Sequence, residues 1–524
     1  MIRELGKAAR FVGALRGFLG APWEPARAVA EVEARIHGRQ QSFLTLIERA
    51  IFTRPASPYR KLMQAAGVEY GDIAALVRTE GVEGAPGVLF DAGVRVTLDE
   101  FKGRQAIRRS GLELPVRAEE FDNPFLRSHY EGRTGGSRGA GTRLIIDLDL
   151  LRYEAAHVFL GLLSLDALER PAAVWRPVPP GVTGMKEVLY RARLGRLPEV
   201  WFTQVRYRCR LDDLKYAGLT GCTLLGSRLW GRPLPRPRHL PLQQADQVVA
   251  WLADKRSSGV AALLDANVST VVRVCLAARE SGADIAGALF RTGGEPLTPT
   301  RAEIVAGVGC RVACSYGIAE IGRLGMACGR PDAVDDVHVL VDKVALLHRR
   351  KEIAGAGHSV DAIHVTTLHP STPKLMLNVE IGDYAVPSRR SCGCALGEVG
   401  LVDHLHTIRS YEKLTSEGMQ FLGSDLLELL EQTLPSRFGG GPTDYQLVEE
   451  EVGGLARVRL LVSPHLGELD ESALIETALA SLRTGGQGRG MMSRWWQEGG
   501  VLRVERREPY LTAALKVLPL HVRR

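Results

Sequence analysis

No stretch of this chain approaches the roughly 18 consecutive apolar residues that a membrane-spanning helix requires. Cysteine is sparse, at 8 residues in 524, and no two cysteines stand in a Cys-x-x-Cys pair. A disulfide framework is therefore not expected, and the thiols read as free and reduced. Neither sign of charge dominates: 67 basic side chains face 60 acidic ones, for a net charge of +7. The only basic run, Arg349-Arg350-Lys351, is short enough to be a solvated turn. A nucleic-acid binder would concentrate its charge in one patch, so that class is set aside, while anionic small molecules suit the mild excess. Aromatic residues make up 6% of the chain, and internal repeats and low-complexity segments are lacking. No clean signal-peptide cleavage site follows the weakly apolar N-terminus, which Arg16 interrupts. The expected location is cytoplasmic.

What is present is an ordinary globular composition, 45% hydrophobic and 24% charged, in a chain too long for one core. Two or more domains are expected. Residues 1–80 read as helical, and Leu5, Ala9, Val12 and Phe18 predict an amphipathic first helix that packs on the body of the protein. From about residue 140, short apolar runs such as Leu144-Ile145-Ile146, Ala288-Leu289-Phe290 and Val312-Ala313-Cys314 alternate with helical stretches such as 245–256. That alternation predicts an α/β architecture with much parallel sheet. The four prolines of 229–242 predict an extended surface connector. After Asp403 the texture changes: a helix at 423–434, a Gly-rich turn, a strand at 456–462, a helix near 471–483 and a last strand at 501–505 predict a small α+β domain.

Six motifs carry chemistry. Arg133-Thr134-Gly135-Gly136-Ser137-Arg138-Gly139-Ala140-Gly141-Thr142 places glycines, hydroxyls and guanidinium groups in one loop. Glycines let successive backbone N–H groups turn toward one anion, and the side chains add donors. The loop suits a polyphosphate, yet no Gly-Lys-Ser/Thr ends it, so it is not a Walker loop. Gly293-Gly294-Glu295-Pro296 and Ser315-Tyr316-Gly317-Ile318-Ala319-Glu320 each follow an expected strand, and Gly382-Asp383 forms a turn further on. Arg409 opens the segment RSYEKLTSEG, and Lys516 lies near the C-terminus in PYLTAALKV.

In this order the motifs resemble those of the adenylate-forming superfamily of acyl-CoA synthetases, peptide-synthetase adenylation domains and luciferases, and within it the phenylacetate–CoA ligase branch. The resemblance runs from about residue 57 to 518. It implies a large multi-layer N-terminal adenylation domain over 1–405 and a small mobile C-terminal domain over 408–524, with the active site between them. Thr134, Gly135, Gly136, Ser137, Arg138, Gly139 and Thr142 would bind the phosphates of ATP, and Gly294, Glu295, Pro296, Ser315 and Gly317 would also belong to the ATP site. By the same resemblance Tyr316 would stack on adenine, Asp383 would hold the ribose hydroxyls and Glu320 would hold Mg²⁺. Arg409 would contact ribose or phosphate, and Lys516 would neutralise charge in the adenylation step.

The implied activity is ATP-dependent activation of a carboxylic acid, aryl or arylacetic, to an acyl-AMP, followed by transfer to CoA. Amide or ester formation on another acceptor, and a non-catalytic nucleotide-binding relative, are the alternatives. A homodimer is compatible with this reading. The chain departs from the family at Arg138 (a small hydroxyl residue elsewhere), Gly141 (proline), Tyr411 (the hinge aspartate) and Leu515 (glycine). Some members bind structural zinc near the positions of Cys310, Cys314, Cys328, Cys392 and Cys394, but the lack of regular spacing favours free thiols here.

Overall fold

The structure is a computed structural model that describes residues 2–20, 23–126, 129–133, 143–207, 211–230, 232–352, 359–411, 413–416, 419–422, 429–441, 444–452, 455–483, 496, 499–510 and 520–523. Its centre is a twelve-stranded sheet. From one edge the strands are Val344–Glu352, Ser359–Thr367, Val379–Arg389, Asp403–Ser410, Val337–Val339, Gly322–Met326, Arg311–Ile318, Leu289–Gly293, Leu263–Ala266, Ala172–Trp175, Val200–Thr203 and Pro237–His239. The last six run parallel to one another and the others pair antiparallel.

The central parallel strands, such as Ala172–Trp175 and Leu263–Ala266, are mostly apolar and buried at every position because both their faces are covered. Ala172 and Val174, with Leu263 and Leu289, enter one hydrophobic core. Ala173 and Trp175, with Leu264 and Phe290, enter a second core on the opposite face. Helices Asp246–Ser257 and Val268–Ser281 supply Val248, Leu252, Val271 and Val274 to the second core. Helices Leu148–Ser164 and Thr183–Arg193 close the first. Trp175 is fully buried, so Trp175→Ala would cost about 3–5 kcal/mol.

The N-terminal region is helical, as Ile2–Gly20, Pro25–Ile47, Pro58–Ala65 and Tyr70–Asp91. The first helix packs on the body, but its buried stripe is Phe11, Leu15, Phe18 and Leu19, and Ala9 is exposed. The proline segment also differs from expectation. Pro237–His239 pairs as an edge strand, and Leu234 and Leu240 are buried beneath it. An edge strand tolerates proline because its outer N–H groups need no partner.

Toward the C-terminus a separate four-stranded sheet has the order Leu502–Arg506, Leu455–Val462, Tyr445–Val452 and Leu520–Arg523. The two central strands form a hairpin and each outer strand runs parallel to its neighbour. Helix Glu471–Arg483 buries Leu474, Ala478 and Leu479. The strand expected to end the chain is thus followed by another, whose four residues carry too little periodicity to be recognised alone. The helix expected at 423–434 is described only from Leu429, as a short π-helical turn that passes into Leu434–Phe438. No helix among the described residues is long and apolar enough to cross a membrane.

Candidate active site

Parallel strands present their carboxyl ends to one side of the sheet, where open α/β folds bind ligands. Here those ends carry the Gly293-Gly294 turn and, on the adjacent strand, Tyr316, Gly317 and Ile318, which lead into a turn at Ala319-Glu320; the two strands are in register at Gly293 and Ser315. The approach is close: a Cβ on Gly293 would come within 2.8 Å of Ser315 Oγ. Gly294 has φ +86°, a conformation that glycine adopts without strain. Ser315 Oγ donates to the Thr292 carbonyl at 3.1 Å, tying the two strands together. Glu295 turns away from the turn it belongs to. Its carboxylate accepts from Ser269 N at 2.7 Å and Ser269 Oγ at 2.9 Å, so it clamps the N-terminus of helix Val268–Ser281. A carboxylate is favoured there by the helix dipole and the unpaired N–H groups. Pro296 contributes its carbonyl to Arg301 at 2.9 Å.

The structure joins Tyr316 to Asp383. The phenol donates to the carboxylate at 2.9 Å, and burial, then Asp383, raises the tyrosine pKa well above its usual value. Glu320 forms an ion pair with Lys102, which lies at the end of the short helix Leu98–Phe101. Burial lowers the Lys102 pKa while Glu320 opposes the shift. Arg409 sits on the strand Asp403–Ser410, opposite Tyr384 on the Asp383 strand. Its guanidinium donates to Asp335 at 2.7 Å, and Asp335 also accepts from the backbone N–H groups of Thr407 and Ile408. Tyr411 donates to Glu380 at 2.7 Å.

Thr134, Gly135, Gly136, Ser137, Arg138, Gly139 and Thr142 lie outside the described residues, as does Lys516. The segments around them are placed. The phosphate-loop motif connects strands His129–Arg133 and Arg143–Asp147, which pair antiparallel with Arg133 opposite Arg143. Pro509-Tyr510, ahead of Lys516, is held by buried Gln446, whose side chain accepts from Tyr510 N at 2.7 Å and donates to Tyr510 O at 3.2 Å.

The cysteines divide into two groups. Cys310 and Cys314 are buried, and burial pushes the Cys310 thiol up to about 12. Cys328, Cys392 and Cys394 instead converge on His338, with all four ligand atoms within 4.8 Å of one another. Cys392 Sγ lies 3.5 Å and Cys394 Sγ 3.3 Å from His338 Nε2, and Cys328 Sγ lies 3.9 Å from Cys392 Sγ. A tetrahedral zinc ion with ordinary bond lengths spaces its N and S ligands by about 3.5–3.8 Å, so the set fits one. His338 Nδ1 contacts the Leu401 carbonyl at 2.6 Å, which leaves Nε2 facing the thiols, as second-shell carbonyls do at metal sites. Free thiols were expected. The ligands come from three separated segments, so no local spacing could reveal the cluster.

Sequence reasoning also missed Lys102 and Asp335. Each lies among other charged residues outside any motif, and only the fold brings it to Glu320 or Arg409.

No protein-family model matches the chain, and no curated protein matches it. Among solved structures, a 2-hydroxyisobutyryl-CoA ligase in complex with 2-HIB-AMP and CoA in the thioesterification state is similar at TM-score 0.54 and 14% identity, covering 95% of this chain and 91% of that chain. An open conformation of 2-hydroxyisobutyryl-CoA ligase gives TM-score 0.40 at 16% identity over 87% of this chain and 89% of that one. An o-succinylbenzoate CoA synthetase from Bacillus subtilis gives 0.40 at 11% identity over 74% and 68%. The chain therefore has the mixed α/β fold of that first 2-hydroxyisobutyryl-CoA ligase structure.

Proposed function

We propose that this chain activates a carboxylic acid with ATP and then transfers the acyl group, with CoA as the acceptor. The observation that carries the reading is the meeting of Tyr316 and Asp383, the residues assigned to adenine and ribose, in a fold that follows a CoA ligase over 95% of the chain. An oxygen of the acid's carboxylate attacks the α-phosphorus of ATP, the bond to the β-phosphate breaks, and pyrophosphate leaves. The CoA thiolate then attacks the acyl carbon, and AMP leaves. No protein nucleophile takes part, so the protein contributes position and charge. Tyr316 offers a ring face to the base, and Asp383 offers acceptor oxygens to the ribose hydroxyls. Glu320 is the residue that would hold Mg²⁺, which neutralises phosphate charge when bound. Lys516, in the segment tethered by Gln446, is the cation for the carboxylate and α-phosphate oxygens.

In this reading residues 1–405 form the adenylation domain and 408–524 the domain that alternates between half-reactions, and the protein works in the cytoplasm. The substrate is an aryl or arylacetic acid. Cys328, His338, Cys392 and Cys394 would hold a structural zinc ion away from the chemistry. The test separates the half-reactions. Lys516→Ala should slow acyl-AMP formation about a hundredfold or more, while chemically made acyl-AMP is still converted to acyl-CoA at near the normal rate. Equal loss in both steps would remove Lys516 from the mechanism, and no pyrophosphate release with any acid would remove the adenylation reading.

A further inference from the structure

Between the parallel sheet and helix Thr183–Arg193 lies a buried layer of charge that the mechanism above does not use. Asp265 and Arg291 project from adjacent strands toward this helix, on the face that carries Leu263 and Leu289. Arg291 donates to Asp265 at 2.9 Å and pairs with Glu187 of the helix. Glu187 also pairs with Arg323, three residues beyond Glu320. Arg176, at the carboxyl end of its strand, donates to Asn267 at 2.9 Å and to the Ala266 carbonyl at 2.8 Å. Glu154 pairs with Lys343 at 2.5 Å and accepts from Tyr190. The three carboxylates Glu154, Glu187 and Asp265 thus already serve Arg176, Arg291, Arg323 and Lys343. Asp342, the next carboxylate in this layer, is taken by His157 and Tyr153.

Arg191 remains. It stands one helical turn beyond Glu187, so both side chains leave the helix on one face. It is 1% exposed, and its Nε and Nη2 find no acceptor among the described residues. Arg291 Nη1 and Arg176 Nε, in the same layer, also have none. Burial, then the like charge of Arg291, lowers the Arg191 pKa to about 10, against the opposing charges of Asp265 and Glu187, which are already engaged by other cations. A guanidinium buried without an acceptor is costly, and proteins keep such a group where an anion completes it.

We propose that Arg191, with Arg291 beside it, receives a second carboxylate of the substrate, so that the acid activated by this chain is a dicarboxylic acid. The inference rests on the adenylation reading for the identity of the other carboxylate. Arg291 lies two residues before Gly293 on its strand, so the layer begins about 7 Å beneath the turn where that reading places the nucleotide. A planar guanidinium matches a carboxylate in two parallel hydrogen bonds, and a monocarboxylic acid would leave the donors unpaired. Arg191 is then a specificity-determining residue and takes no part in the bond changes.

The experiment compares matched pairs of acids, glutarate with valerate, adipate with hexanoate, and 4-carboxyphenylacetate with phenylacetate. ATP–pyrophosphate exchange is measured on the wild-type chain, Arg191→Met and Arg191→Lys. In at least one pair the diacid should be preferred in kcat/KM on the order of a hundredfold. Arg191→Met should abolish the preference by losing the diacid, and Arg191→Lys should retain part of it. Monoacids used as well as diacids, or a preference that survives Arg191→Met, would overturn the proposal and leave adenylation standing. If no acid supports exchange, adenylation itself fails, and the anion site is read from thermal protection. The same diacids must then raise the melting temperature of the wild type and of Arg191→Lys, whose charge is kept, but not of Arg191→Met. No protection of the wild type overturns the site as well.

Discussion

The Tyr316 hydroxyl lies 2.9 Å from an Asp383 carboxylate oxygen, and this hydrogen bond joins two motifs separated by 67 residues. It orients the ring before any nucleotide arrives, because a phenol held by a carboxylate has one preferred plane. Tyr316→Phe keeps the ring and loses the hold. It should weaken ATP binding by about 1 kcal/mol, whereas Tyr316→Ala should cost about 1–3 kcal/mol through lost stacking. Calorimetric ATP affinities check this, and unchanged affinity in Tyr316→Ala would remove the adenine assignment.

Glu320 and Lys102 form a half-buried ion pair, so replacing either one alone strands the other. Glu320→Gln should therefore lose stability by about 3 kcal/mol as well as losing acyl-AMP formation. The double variant Glu320→Gln/Lys102→Met should recover most of that stability without recovering adenylation. Urea unfolding and acyl-AMP production at limiting magnesium distinguish the roles. Normal turnover in the double variant would make Glu320 purely structural.

If the thiols of Cys328, Cys392 and Cys394 and the His338 imidazole bind zinc, the purified chain should carry one ion per molecule by elemental analysis. Cys394→Ser should release it and lower stability by several kcal/mol, since metal affinity at a structural site is folding free energy. The idea fails if zinc stays near zero per chain and chelators leave the melting temperature unmoved.

His369 packs against Tyr153 with ring centres 3.9 Å apart and planes tilted by 36°, and its Nδ1 accepts from Ser371 N at 3.2 Å. Burial, then Arg35, lowers its pKa to about 3. The unfolded chain titrates this group near its ordinary value of about 6.5, so below that pH the unfolded state binds more protons than the folded one. Stability contributed by neutral His369 is fully present above about pH 6.5 and is lost as pH falls toward about 3, by an amount on the order of a few kcal/mol. His369→Gln should flatten the fall in unfolding free energy between pH 6.5 and 4. An identical slope in the variant would count against this assignment.

Local pattern was enough for the elements of the parallel half of the sheet. The short apolar runs Ala288-Leu289-Phe290 and Val312-Ala313-Cys314 fall at the strands Leu289–Gly293 and Arg311–Ile318, since a strand buried on both faces reads as such a run. The turn at Gly294 was legible from its paired glycines, whereas Tyr316, expected in a turn, continues the strand Arg311–Ile318 and pairs with Gly325. The Pro237–His239 strand and Leu520–Arg523 were not legible, because three or four residues hold no period and their pairing is supplied by distant strands.

The sequence by itself determined the alternation of strand and helix, the order of the motifs and the residue types available to bind a nucleotide, since these depend on neighbours along the chain. Only the tertiary structure decided which charges meet. Lys102 reaches Glu320, Asp335 takes Arg409, Glu295 caps a helix, three cysteines gather on His338, and Arg191 is left buried without an acceptor among the described residues. The physical reason is common to all five. An ion pair, a metal cluster or an unmet donor acts through space over a few ångströms, and burial removes the water that would otherwise screen or satisfy it, so its partners can come from any part of the chain.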